Sequence, residues 1–261
     1  MKTIAFAVAA LAGVASTSLG ALSFTGPALS ENFDGLPTAN VASAFSATVG
    51  VQSAVTNLPN WFATKVAGTG TTATALTAND GSGNSGAMYS YAAAASPSDR
   101  ALGTLASASN IFAFGAEIVN SAAYTITDFT ITFDKEQYRS STSTQNVLAF
   151  AYGFSGGSAT STNFLTDTGM TALAAGNVVG DAPVTTNGAL VPPTTGAVTF
   201  TVSGLNWAPG TSLFIRWTDA NDVGNDAGLA IDNFTFNAVP TPGSLALLGL
   251  GGLVAARRRR A

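Results

Sequence analysis

The densest run of oxygen-bearing side chains is Trp217-Thr218-Asp219-Ala220-Asn221-Asp222-Val223-Gly224-Asn225-Asp226-Ala227-Gly228. Carboxylates and amides at short spacing in a glycine-containing loop are what a hard cation such as Ca²⁺ requires. Asp219, Asn221, Asp222 and Asp226 are therefore candidate calcium ligands. The EF-hand core and its distal Glu are missing. The same residues equally suit a solvated turn in which Asn and Asp bond their own backbone. A second chemical run is Asp134-Lys135-Glu136-Gln137-Tyr138-Arg139. In a strand, Glu136 and Tyr138 point to one side and Lys135, Gln137 and Arg139 to the other. An exposed Tyr beside Glu, Gln and Arg would hydrogen-bond and stack on a sugar. The other reading is a charged strand end with Arg139 paired to a carboxylate such as Asp134. Trp61, Trp207 and Trp217 would extend a sugar platform if exposed, or pack the core if not. Trp217 shares a face with Leu213 and Ile215, which points to packing.

Catalytic readings are narrow. The chain has 261 residues, no Cys and no His. That removes disulfides, thiol nucleophiles, the Ser-His-Asp triad and the usual transition-metal ligands. A glycosidase needs two carboxylates about 5–10 Å apart. Glu117 and Glu136 are the conceivable pair, with Glu117 expected on the solvent side of its strand. Lys65 and Lys135 are the lysines between the two ends, and neither lies near a nucleophile elbow. No phosphate-binding glycine motif occurs. The expectation is a non-enzymatic protein, with a glycoside-active enzyme as a distant alternative. A formal net charge of -4, with few basic residues outside the ends, excludes a nucleic-acid partner.

These residues must be positioned by strands. Phe112, Phe114, Ala116 and Ile118 share one face, as do Phe129, Ile131 and Phe133 after a phase break near Thr127-Asp128. Leu148, Phe150, Tyr152 and Phe154 alternate, then Val198, Phe200 and Val202, then Leu213, Ile215 and Trp217. Leu229, Ile231, Phe234 and Phe236 end the body with one slip of phase. The strands are rich in Thr, Val, Ile and aromatics. Gly/Asn/Asp/Ser loops such as Asn79-Asp80-Gly81-Ser82-Gly83-Asn84-Ser85-Gly86 separate them. Many short strands between such loops imply an all-β sandwich.

The ends read as addresses. Met1-Lys2-Thr3, an apolar run from Ile4 to Val14 and Ser18-Leu19-Gly20 form a secretory signal over residues 1–21. At the other end Val239-Pro240-Thr241-Pro242 precedes a Leu/Gly-rich stretch, then Arg257, Arg258, Arg259 and Arg260. The apolar stretch spans roughly 21 Å as a helix, short against a hydrocarbon core of about 30 Å. Each Arg costs about 2.5–3.5 kcal/mol at mid-membrane, so the cluster holds the tail on the cytoplasmic side. This is a weak, transient hook.

The order Pro240-Thr241-Pro242, apolar stretch, Arg257–Arg260 resembles the PEP-CTERM sorting signal of bacterial exported proteins, with Thr241 at the usual Glu position. The resemblance implies export machinery, transient inner-membrane insertion, cleavage by an exosortase, and delivery to the cell envelope, surface or extracellular matrix. Separately, Glu31-Asn32-Phe33-Asp34-Gly35-Leu36-Pro37 opens the body and Ala230-Ile231-Asp232-Asn233-Phe234-Thr235-Phe236 closes it. This pairing resembles concanavalin A-like and carbohydrate-binding jelly rolls. It implies that the first and last strands lie side by side, and that Glu31, Asp34 and Asp232 hold a structural Ca²⁺. The alternative is that these carboxylates make turn and capping bonds.

The expected organisation is a signal at 1–21, a jelly-roll type antiparallel β-sandwich at 22–238, and a sorting tail at 239–261, with a helix in each flanking segment. The expected function is a cell-surface or matrix component. The alternative is a carbohydrate-binding module for extracellular polysaccharide using Trp61, Glu136, Tyr138 and Arg139. Without its ends the body has five basic and fourteen acidic residues, a formal charge of -9.

Overall fold

The structure, a computed structural model, describes residues 20–94 and 96–240. The apolar run of the expected signal and the tail from Thr241 onward, with Pro242 and Arg257–Arg260, lie outside the described residues. Among those described, no helix is long and apolar enough to cross a membrane.

Among the described residues sixteen strands carry the fold. The first eight are β1 (Leu22–Phe24), β2 (Leu29–Glu31), β3 (Val41–Phe45), β4 (Ser53–Val55), β5 (Leu58–Ala67), β6 (Thr74–Asn79), β7 (Ala87–Tyr91) and β8 (Ala101–Leu105). Then come β9 (Ile111–Asn120), β10 (Ile126–Arg139), β11 (Val147–Phe154), β12 (Thr171–Ala172), β13 (Val178–Val179), β14 (Ala189–Val202), β15 (Ser212–Thr218) and β16 (Gly228–Pro240). They form two sheets. The first runs β12-β11-β15-β9-β5-β4, with β1 on β9 and β13 on β11. The second runs β14-β10-β16-β8-β7-β6-β3, with β2 on β16. Most pairings are antiparallel, but β1/β9 and β6/β7 are parallel, so the sandwich is mixed rather than wholly antiparallel. A parallel pair normally needs a crossover of a dozen residues. Asp80–Gly86 makes it in seven because Asn79 Oδ1 accepts from the Gly81 and Gly83 amides, and Gly81 sits at φ +95°.

The alternating residues read from the sequence meet between the sheets. Phe112, Phe114, Ala116, Ile118, Leu213, Ile215 and Trp217 face Phe129, Ile131, Phe133, Leu229, Ile231, Phe234 and Phe236, all buried. Trp217 is the hub, touching the rings of Trp61, Phe114, Phe133, Phe150 and Phe234, and its indole N–H donates to Gly176 O at 3.0 Å. The two phase breaks are bulges. The β10/β16 register shifts between Ile126 and Asp128. It shifts again where Asn233 and Phe234 oppose the single residue Phe133, with Asn233 at φ +49°. Without that extra residue Phe234 and Phe236 would face outward. The expected neighbourhood of first and last strands holds for β2, whose Glu31 pairs with Phe234.

Each outer face carries its own apolar cover. On the first sheet, Phe62, Ala113, Ala151 and Phe214 lie under Ala159, Phe164, Leu165 and Met170 of the β11–β12 connection. On the second, Tyr89, Tyr91 and Tyr138 lie over Ala101 and Ala230.

Candidate functional site

Chemistry-bearing residues gather on the outer face of the second sheet and at the loops ending it. Strand alternation sends Asp134, Glu136 and Tyr138 of β10 to that face, next to Asp232 and Ala230 of β16. Tyr138 stacks on Tyr91 at 4.6 Å between centroids, and Tyr91 on Tyr89 at 4.7 Å. Small residues make the trough for this row of rings. A Cβ on Gly103 would stand 2.4 Å from Leu229 O and 2.9 Å from the Tyr91 ring. Tyr138 Oη donates to Glu136 Oε2 at 2.5 Å, and Tyr89 Oη to Ser85 O at 2.6 Å. Burial pushes the Tyr138 hydroxyl well above its usual range, and its bond to Glu136 adds to this. Burial also raises Glu136, against the bond from Tyr138, with Asp99 and Asp134 adding repulsion. Asp232 is pushed up to about 7, first by burial and then by the charges of Glu136, Asp99 and Asp34; its bond from the Asn233 amide at 2.7 Å opposes this.

The Asp219–Asp226 loop is organised by a residue outside it. Asn146 Nδ2 donates to Asp222 Oδ2 at 2.5 Å and to Asp226 Oδ1 at 3.3 Å, while its side-chain Oδ1 accepts the Ala227 amide at 2.5 Å. Asp226 Oδ1 also accepts the Asp222 amide at 3.0 Å. Asp226 is raised to about 6, chiefly by burial. Asp219, 4% exposed, accepts the Ala220 amide on Oδ1 and has no partner on Oδ2. Burial pushes its carboxyl far up. Asn221 is exposed and lines, with Arg139, Asp222 and Asp226, a groove of about 320 Å³.

Neither expected calcium set converges. Among the described residues no three acidic side chains stand where they could hold a metal ion. In the loop, amide donors take one oxygen of each of Asp222 and Asp226. At the strand ends, Glu31 Oε1 accepts the Phe33 amide, Asp34 Oδ1 accepts the Arg100 amide, Asp34 Oδ2 accepts from Asn32 and Asp232 from Asn233. These are the turn and capping bonds of the alternative reading.

The sugar platform is also corrected. Trp61 is 1% exposed, wedged among Phe33, Trp217 and Phe234. Tyr138 and Arg139 are buried and Glu136 is half-buried. Arg139 makes no ion pair with Asp134; it donates to the carbonyls of Gly81 and Ser82 at 3.0 and 3.2 Å. Glu117 is 7% exposed rather than solvated, and accepts from Ser212 Oγ at 2.5 Å. It lies on the outer face of the first sheet and Glu136 on that of the second. Two packed sheets separate them by about 10 Å plus two outward side chains, so they cannot flank one glycosidic bond.

Sequence reasoning missed two things. One is Asn146, which no local pattern marks. The other is the shared task of the basic residues. Lys65 donates to Gly70 O, Arg100 to Pro97 O and Ser90 O, Lys135 to Val179 O, Arg139 to Gly81 O, and Arg216 to Phe164 O. All five basic residues between the ends therefore clamp backbone carbonyls, and the carboxylates dominate what solvent sees.

No family model and no curated protein matches the sequence. Among solved structures, the chain is similar to the enzymatically active domain of tailspike protein 4 from bacteriophage CBA120. That match has 15% identity over 54% of this chain and 16% of the other, with a TM-score of 0.30. It is also similar to TmCBM61, solved in complex with beta-1,4-galactotriose, with 9% identity over 54% of this chain and 72% of the other and a TM-score of 0.30.

Proposed function

We propose that the chain is an exported, non-enzymatic surface or matrix protein: a jelly-roll sandwich between a secretory signal and an exosortase-read tail. The observation that carries this is the order of parts in the chain: an apolar leader, the alternating strands of the body, then Pro240-Thr241-Pro242, an apolar stretch and Arg257–Arg260. Among the described residues the last strand, β16, reaches Pro240, the first proline of Pro240-Thr241-Pro242. The clamping of all five cations onto backbone carbonyls supports a scaffold role, since it spends the charged donors on holding loops. The test is C-terminal sequencing of the mature protein from its native host. The expected product ends near Pro242; recovery of an intact Arg257–Arg260 tail overturns the reading.

Polysaccharide binding is the second reading, and a specific groove favours it. Phe154, Ser155, Asn206, Trp207, Ala208 and Thr211 line about 240 Å³ at the surface. The half-buried Phe154 ring offers a stacking face, and Asn206 and Thr211 offer polar partners. On this reading, Phe154→Ala and Asn206→Ala abolish retention on immobilised polysaccharide while the fold persists. Unchanged retention in both variants removes the groove from consideration.

A further inference from the structure

Among the described residues the main strand paths of the two sheets end in four edge strands, and these are unlike one another. Edge strands β3, β4 and β12 are 5, 3 and 2 residues long. The β3 edge is further broken by Ser43 at φ +55° and a register shift against β6. Short, irregular edges are how sheets avoid pairing with other chains. Strand β14 is 14 residues long and pairs only with β10. Its first part is guarded by Pro192 and Pro193 at a register break. From Thr194 to Val202 it has no proline and no charge. Every second residue there turns its N–H and C=O away from β10, as antiparallel pairing requires.

Two features say what fits this edge. Val198-Thr199-Phe200-Thr201-Val202 reads the same in both directions. An antiparallel strand related by a two-fold axis at Phe200 would set Thr199 against Thr201 of the other copy, and Val198 against Val202. Thr199 and Thr201 are exposed, and each already bonds a Thr of β10, at 3.1 Å to Thr132 and 2.8 Å to Thr130. A second copy would lengthen these hydroxyl rows and cover the half-buried Val198. The other feature is charge. A body of formal charge -9 repels its own copies, yet no charged residue occurs from Ala182 to Ile215. That neutral stretch is where two acidic copies can meet.

We propose that the free edge of β14 pairs antiparallel with the same edge of a second copy about Phe200, joining the two second sheets into one. The interface is isologous, so it closes at a dimer. It does not depend on the export reading, because tail processing and edge pairing fail in separate experiments.

The test uses the purified full chain in sedimentation across a concentration series. Wild type is expected to dimerise. The T199K/T201K double variant, which sets Lys against Lys, is expected to weaken the dimer at least tenfold with an unchanged melting temperature. Mixing it with T199E/T201E is expected to restore a one-to-one dimer. The absence of Cys gives a second readout of register. T199C mixed with T201C should form a disulfide across copies, while T199C alone should not, since opposed Cα atoms in either pair type fall within disulfide range. A wild type that stays monomeric, a T199K/T201K variant that dimerises like wild type, or T199C cross-linking to itself overturns the proposal.

Discussion

The two outer faces solve the same problem with different chemistry. Both would expose apolar surface, and both are roofed by a loop that an arginine pins through backbone carbonyls. On the first sheet the roof is apolar. Phe164 packs on Phe62 and Phe214, at 6.4 and 5.4 Å, and Arg216 holds the Phe164 carbonyl. On the second sheet the roof is Asp80–Gly86 over three stacked tyrosines, held by Arg139 on Gly81 and Ser82. Hydroxyls brought under a roof need acceptors. Ser85 O and Glu136 supply two, and Glu136 draws a half-buried carboxylate into the assembly. Tyr91 Oη has no partner. The apolar roof is therefore tolerant of local change, while the polar one couples packing, hydrogen bonding and protonation.

Truncating the centre of each cluster should show this most strongly. Tyr91 has a ring on each side and the backbone at Gly103 beneath, so its space cannot close. Tyr91→Ala should cost about 4–5 kcal/mol, at the top of the range for removing a buried aromatic. Phe164 sits in a connection that can settle onto Phe62 and Phe214. Phe164→Ala should cost about 2–3 kcal/mol, since partial collapse refills the cavity. Urea denaturation of both variants measures the difference; equal losses would show that the roofs are mechanically alike.

This contrast also marks how far the sequence reaches. The inward alternation was legible because a period of two over Phe112–Ile118 or Leu213–Trp217 has one physical solution. The slips at Asp128 and Asn233 were legible for the same reason, as breaks in that period. Outward residues gave no such signal. Glu117, at an outward position, read as solvated because nothing local reveals that Ser212 of another strand meets it. Tyr89, Tyr91 and Tyr138 meet across the intervening strands β8 and β16, so their stack depends on sheet order, which alternation does not encode. Trp61 was recognised as unusual by type, but its burial depends on a partner more than a hundred residues away, Trp217. The acidic loop looked like a metal site because Asn146, which takes up two of its carboxylates, lies 76 residues before Asp222.

The arginine pins give the next largest difference. Arg139 is buried and donates to two carbonyls, one of them on buried Gly81. Arg139→Met keeps the packed stem but leaves that carbonyl unpaired, and should cost about 2–3 kcal/mol. Arg216→Met removes one bond at a half-buried site and should cost about 1 kcal/mol. Arg139→Lys should recover little, because an ammonium cannot reproduce the fork of the guanidinium. Full recovery by Lys would mean that charge alone, not the shape of the donor, secures the polar roof.

The smallest effect, and the most diagnostic, is the response to pH. Burial raises Asp226 to about 6 and Asp232 to about 7, from near 3.8. A carboxyl whose folded value is raised holds its proton more tightly when folded, so folding binds protons between pH 4 and 7. The stability this lends is complete below about pH 4 and is lost as pH rises through 6 and 7. Melting temperature should therefore fall from pH 5 to pH 8, by about 2–4 °C for each kcal/mol involved. Asp232→Asn supplies a neutral side chain of the same shape, so it should flatten the slope while leaving stability at pH 5 nearly unchanged. Phe164→Ala should lower the melting temperature equally at both pH values and keep the slope, because the roof it damages contains no part of this titration. A slope unchanged in Asp232→Asn, or one that Phe164→Ala removes, would place the titrating carboxylates elsewhere and erase the distinction between the two faces.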